Sequence, residues 1–184
     1  MTTRTLLFGL ILFLLMAHMP VSISAQDGHM GYINRAGIDL LAGKSENSIR
    51  LQMTHGYQIT ERFSAGIGAG YVFYSDPLDL VPVYIDFIYQ LSGGKVAPFL
   101  QFKLGSSISI LRDHNSEPDR HKGGAMLNPA LGLQITNGTG SGIYFSAGFN
   151  LDNSAIEQDA FGGRIIKEAI SYRRISLGFG LILR

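Results

Sequence analysis

From Val81 to Leu91 every second residue is apolar: Val81, Val83, Ile85, Phe87, Tyr89 and Leu91. Between them stand Pro82, Tyr84, Asp86, Ile88 and Gln90. A period of two is the signature of a strand with one greasy face and one polar face. The same rhythm returns along the chain and predicts eight strands. They fall at 32–42, 48–59, 63–75, 81–91, 96–112, 124–136 and 142–151, with an eighth running to the C-terminus. Apolar positions share one parity within each strand. Ile49, Leu51, Met53, Tyr57 and Ile59 form one such row, and Ile175, Leu177, Phe179, Leu181 and Leu183 another. Upstream of Ile175, however, Ile166, Ile170 and Tyr172 lie on the opposite parity, so a bulge is expected near Arg173 and Arg174.

The connections between these strands alternate in length. Those at 60–62, 92–95 and 137–141 are tight. Those at 43–47, 76–80, 113–123 and 152–163 are at the opposite end, and the last two are long. Short turns at one end and longer loops at the other characterise membrane-spanning barrels. Ser92-Gly93-Gly94-Lys95 and Asn137-Gly138-Thr139-Gly140-Ser141 carry the residues that tight turns require.

The first 25 residues break the pattern. Arg4 is followed by an apolar run from Leu6 to Met16, then Pro20, then Ser22-Ile23-Ser24-Ala25. This is the layout of a cleaved export signal ending before Gln26. The run is short for a spanning helix of about 20 residues. Residues 26–184 are then expected to form one barrel domain. Every later apolar stretch is interrupted by polar residues, so a mature chain that entered a membrane would have to do so as a closed barrel.

Composition sharpens this picture. Charged residues make up 16% of the chain, against about 25% in ordinary soluble domains. Lys and Arg total 15 and Asp and Glu 14, and loss of Arg4 brings them into balance. That neutrality argues against nucleic-acid binding, which needs a basic face. Cysteine is absent, which excludes disulfides, an acylated N-terminus and thiolate-bound metal. Tryptophan is absent as well, so Tyr57, Phe63 and Tyr89 at one end, and Tyr71 and Phe73 at the other, are the expected interfacial anchors.

The polar parity carries the candidate chemistry. Arg35, Asp39, Arg50, Asp86, Lys103 and Arg174 share it with Gln52, Tyr84, Gln101, Asn128, Gln134 and Asn150. In an eight-stranded barrel side chains fill the interior. These charges of both signs are expected to pair there as a lumen network, since isolated buried charge is costly. A proton or ion path is the functional alternative. The polar stretch 113–123 offers His114, Glu117, Asp119, Arg120 and His121 as a candidate interaction loop. Their spacing matches no metal or acid–base motif, and no catalytic residue, cofactor or metal is expected. His55 has outward parity between Met53 and Tyr57 but lacks the serine two residues away that an enzyme on the outer wall would want. Asn137-Gly138-Thr139 fits a glycosylation sequon and is read as turn chemistry.

Three stretches carry a resemblance: "YQITERFSAGIGAGYVFY" (57–74), "VPVYIDFIYQLSGGKVAPFLQFKLG" (81–105) and "GGAMLNPALGLQI" (123–135). They resemble the outer-membrane protein β-barrel family, the small eight-stranded barrels like the OmpA transmembrane domain and OmpX, in the versions common in Bacteroidota-type bacteria. The resemblance implies an all-β, eight-stranded antiparallel up-and-down transmembrane β-barrel. It also implies outer-membrane lipid as surroundings and insertion by the barrel assembly machinery; it does not imply a catalytic activity, and no enzyme is expected. Such barrels often end in an aromatic residue, whereas this chain ends in Arg184. The expected role is structural or a surface contact by a monomer, with a surface ligand held by the long loops. The alternatives are a small-solute channel, and a soluble periplasmic lipocalin-like binder of an apolar ligand. The last would turn the apolar face inward, which alternation alone does not decide.

Overall fold

Eight strands, each hydrogen-bonded to the next and the last to the first, close a barrel in the computed structural model. It describes residues 30–43, 47–73, 78–111, 120–160 and 164–184. The strands are β1 (Gly31–Ala42), β2 (Asn47–Gln58), β3 (Phe63–Phe73), β4 (Leu78–Gln90), β5 (Val96–Leu111), β6 (Arg120–Thr136), β7 (Gly142–Ala160) and β8 (Arg164–Leu183). All pairs are antiparallel, and β1 closes on β8 from Asn34↔Leu183 to Ala42↔Ile175. This is an up-and-down barrel, which leaves no open edge around the wall.

The apolar parity faces outward. Ile38, Leu51, Ile85, Leu104, Leu133 and Leu177 are among the exposed side chains, while their polar neighbours in sequence are buried. An interior that is polar and a surface that is apolar reverse the layout of a soluble barrel. This removes the lipocalin-like alternative.

Each tight turn is built from its own sequence. In the β2–β3 turn, the Thr60 hydroxyl accepts from the backbone N–H groups of Arg62 and Phe63, the latter at 3.0 Å. Gly94 has a φ of 129° in the β4–β5 turn, a conformation open to glycine. In the β6–β7 turn the Asn137 side chain accepts from the backbone N–H of Thr139 at 3.1 Å and of Ser141 at 3.0 Å. Its carbonyl is thus committed to the turn.

Three expectations from the sequence need correction. First, residues 78–80 are strand, not loop, because β5 runs to Leu111 and pairs with them. Second, β6 and β7 run well past the expected loop boundaries, whereas β8 begins at Arg164, where the expected loop ends. Residues 120–123 and 152–160 are paired strand, with Arg120 opposite Glu157 and His121 opposite Ile156. Arg120 and His121 are therefore strand residues. Third, there is no bulge at Arg173 and Arg174. The β7–β8 register is continuous from Gly142↔Ile182 to Ala160↔Arg164. The register shift lies in β6–β7, between Gly123 and Met126. Tyr172 simply faces inward, where it packs on Leu41, Val72 and Leu80. An apolar side chain on the polar parity signalled interior packing, not a break in the ladder.

Residues 1–25 and the candidate loop residues His114, Glu117 and Asp119 lie outside the described residues.

Candidate functional site: the lumen and the two ends of the barrel

The lumen holds all twelve of the polar-parity side chains named above, each at most 8% exposed. Arg50 stands at the centre. Its Nε donates to Asp39 Oδ2 at 3.0 Å, its Nη1 to Asn150 Oδ1 at 2.9 Å, and its Nη2 to Asn128 Oδ1 at 3.0 Å. Nη2 also forms a salt bridge with Asp39. Gln52 Nε2 donates to the other Asp39 oxygen at 2.9 Å. The carboxylate is thereby satisfied on both sides, as a buried charge must be. Asp39 and Arg50 meet because they are direct cross-strand partners in β1–β2.

A second centre forms lower in the lumen. Gln101 Nε2 donates to both Asp86 oxygens, at 3.0 and 2.8 Å. Lys103 lies opposite Asp86 in the β4–β5 register, yet its Nζ donates to Gln52 Oε1 at 2.7 Å. That bond crosses the lumen and ties the two centres together. Arg35 donates to Gln134 Oε1 at 3.1 Å. Its guanidinium lies 5.5 Å from the Phe99 ring centre and 5.7 Å from that of Tyr144, a cation–π setting suited to a desolvated arginine. Arg174 donates to the Ser48 hydroxyl on β2.

Sequence reasoning missed two parts of this interior. Asp152 is buried and accepts from Ser107 Oγ at 3.1 Å and from Asn150. It lies two residues beyond Asn150 on the inward parity, so extending the alternation past residue 151 would have found it. The second part is apolar. Ile33, Ile88, Phe99, Tyr144 and Ile182 form a buried cluster toward the tight-turn end. Leu41, Val72 and Leu80, with Tyr172 against them, form another toward the loop end. The polar network therefore lies between two partly apolar layers, in which Leu41 stands opposite Ser48 and Ile88 opposite Gln101. Below the lower layer, Arg184 crosses the mouth and donates to Gln58 Oε1 at 2.9 Å.

Glycines make room for this filling. A Cβ on Gly68 would sit 2.6 Å from Tyr84 Cζ and 2.7 Å from Thr54 Oγ1. On the outer wall, Tyr57 and Tyr89 are exposed toward the tight-turn end, joined by Tyr32 opposite Tyr57. At the other end Tyr71 and Phe73 pack with ring centres 4.8 Å apart, and the Tyr71 hydroxyl donates to Asp79. His55 faces outward and pairs with Tyr32: the hydroxyl and Nδ1 are 2.7 Å apart.

No protein-family model matches the chain, and no curated protein matches it. Solved structures do. The outer membrane protein OprG from Pseudomonas aeruginosa superposes with a TM-score of 0.60 at 11% identity, covering 85% of this chain and 98% of that one. Neisserial surface protein A gives 0.58 at 14% identity, covering 84% and 96%. The outer membrane enzyme PagL gives 0.53 at 15% identity, covering 79% and 97%. The chain has the fold of the small eight-stranded outer-membrane barrels.

Proposed function

We propose that this chain is an outer-membrane protein whose barrel is a sealed, non-enzymatic scaffold, and that its biological contact is made by the strands and connections beyond the closed wall. The observation that carries this reading is the packed lumen, a hydrogen-bonded charge network with a buried apolar cluster toward each end. An ion crossing it would have to strip Asp39 and Asp86 of their partners and then pass buried hydrocarbon, which is costly at both steps. A small-solute channel is the second reading, favoured only by the charges within.

The length asymmetry supports the contact role. Wall closure ends at Ala42↔Ile175, but β7 and β8 stay paired to Ala160↔Arg164. Residues 164–174 thus extend the hairpin about 35 Å, at roughly 3.3 Å per residue. This ribbon replaces the long loop read from residues 152–163, and with 113–123 it is the candidate surface for a ligand. The same reading carries a cleaved signal in residues 1–25, export through a Sec-type route, insertion by the barrel assembly machinery, and a monomer surrounded by outer-membrane lipid.

The test is to prepare outer membranes and run the protein on SDS gels unboiled and boiled, then place it in planar bilayers. A shift on boiling, resistance to carbonate extraction and no conductance are expected. Stepwise conductance altered by Asp86→Asn or Lys103→Gln overturns the sealed lumen. A soluble, unshifted protein overturns the membrane reading.

A further inference from the structure

The outer wall of this barrel is not uniformly convex. A groove of about 620 Å³ opens on it, across β3 to β7. Its origin lies in two cross-strand rows of outward side chains. One row runs Phe87–Phe102–Pro129, and the other Tyr89–Leu100–Leu131–Ala147. Large side chains fill both rows until Pro129 and Ala147, where the wall dips. Phe102 and Phe149 stand on either side of the dip.

The wall is also locally thin in hydrogen bonds there. Pro129 has no N–H to give to β7, and the Asn128 side chain donates to the Phe149 carbonyl at 3.0 Å instead. That carbonyl is thereby satisfied by a buried side chain of the lumen. The lining is almost wholly apolar, so it offers an occupant shape and hydrocarbon contact.

The groove has a direction. Phe63 and Tyr89, at its lower end, stand where β3 begins and β4 ends, at the tight-turn rim. Pro129 and Ala147 are several residues into β6 and β7. Exposed cations sit at the rim. Arg62 immediately precedes Phe63, and Lys95 closes the next turn, with Glu61 the exposed acid beside Arg62.

We infer that this groove holds one acyl chain of an anionic phospholipid from the leaflet at the tight-turn end, with its phosphate at the Arg62 and Lys95 rim. The inference rests on the membrane reading above. A tail anchored at the interface would run obliquely upward into the dip, along aromatic rings suited to interfacial lipid. Charge complementarity at the rim selects an anionic headgroup over a zwitterionic one.

The full chain, folded in nanodiscs of mixed phosphatidylglycerol and phosphatidylethanolamine, can be released for native mass spectrometry. The boiling shift is checked first, so that failure of the membrane reading is seen separately. A monomer retaining one phosphatidylglycerol in preference to phosphatidylethanolamine is expected. Ala147→Phe and Pro129→Leu, which fill the dip, should lose that adduct. Ala69→Phe, an outward substitution away from the groove, should keep it. Arg62→Gln with Lys95→Gln should erase the preference between headgroups while the dip still holds a lipid. Retention unchanged in both groove-filling variants overturns the inference. So does equal retention of the two lipids by the parent, or a dimer that buries the groove.

Discussion

Replacing Arg50 with methionine removes the hub of the lumen and leaves its charge partner stranded. Arg50 is fully buried, and Asp39 is 2% exposed. Three of the groups that Arg50 touches are acceptors: Asp39, Asn128 and Asn150. After the change, Asp39 keeps the Gln52 bond but no cation within bonding distance. Breaking a buried ion pair from one side costs about 3–5 kcal/mol. The loss of two neutral acceptors' partners lies within the same event and is not added to it. Asp39→Leu on top of Arg50→Met removes the stranded charge, and paired apolar replacement of a buried ion pair is close to neutral or even stabilising. The double variant is therefore expected to regain most of the loss. The assay is urea unfolding in lipid vesicles, followed by the unboiled-gel band, for the parent, both single variants and the double variant. An Arg50→Met variant within about 1 kcal/mol of the parent, the scale of an exposed pair, would refute the reasoning. It would mean that water, or Lys103 held through Gln52, compensates Asp39, and that Arg50 is not the hub of a sealed lumen.

Three further outcomes follow from the same geometry. Gly68→Ala should destabilise by about 1–3 kcal/mol, the usual range for overpacking, because the added carbon meets Tyr84 and Thr54. Gly93→Ala, at a turn position with nothing within 4 Å of the added carbon, should change little in the same unfolding assay. Ile85→Arg, on the outward face of β4, should cost about 2–4 kcal/mol in vesicles, whereas Ile59→Arg, beyond the end of β2, should cost about 0–1 kcal/mol. Replacing residues 155–169 by a short turn should leave the boiling shift intact, since the closed wall ends below that segment. Loss of the folded band would show that the ribbon is part of the barrel's stability rather than an appendage.

The wall was legible in the sequence because lipid and lumen impose opposite preferences on alternate residues. Val81 to Leu91 displays both at once. The shared parity of the tight-turn hairpins followed from the same alternation, but their register did not: a tight turn at Gly93-Gly94 would set Asp86 opposite Gln101, whereas Asp86 lies opposite Lys103 and Gln101 opposite Ile88. Other features were hidden. Apolar residues also fill the lumen, so Ile88, Phe99 and Tyr172 carry no mark distinguishing inside from outside except their parity. Tyr172 therefore suggested a bulge that the ladder lacks. Strand ends past the membrane belt were hidden for a different reason. There the sequence carries polar residues on both parities and alternation fades, so 120–123 and 152–160 looked like loop although their backbones are paired. The partners across the lumen, such as Lys103 with Gln52, depend on barrel closure, which no local pattern encodes. Asp79 was missed because its segment was read as a connection.

The absence of cysteine makes one measurement unusually direct. Single cysteines placed at each position from 81 to 91, spin-labelled and folded into vesicles, report whether each side chain meets lipid. Oxygen, which concentrates in hydrocarbon, should quench labels at 83, 85, 87 and 89, while a charged nickel reagent should not. Labels at 84, 86, 88 and 90 should be shielded from both. A charged reagent that reaches the odd positions, or equal access on both parities, would contradict an apolar wall facing lipid around a packed polar lumen.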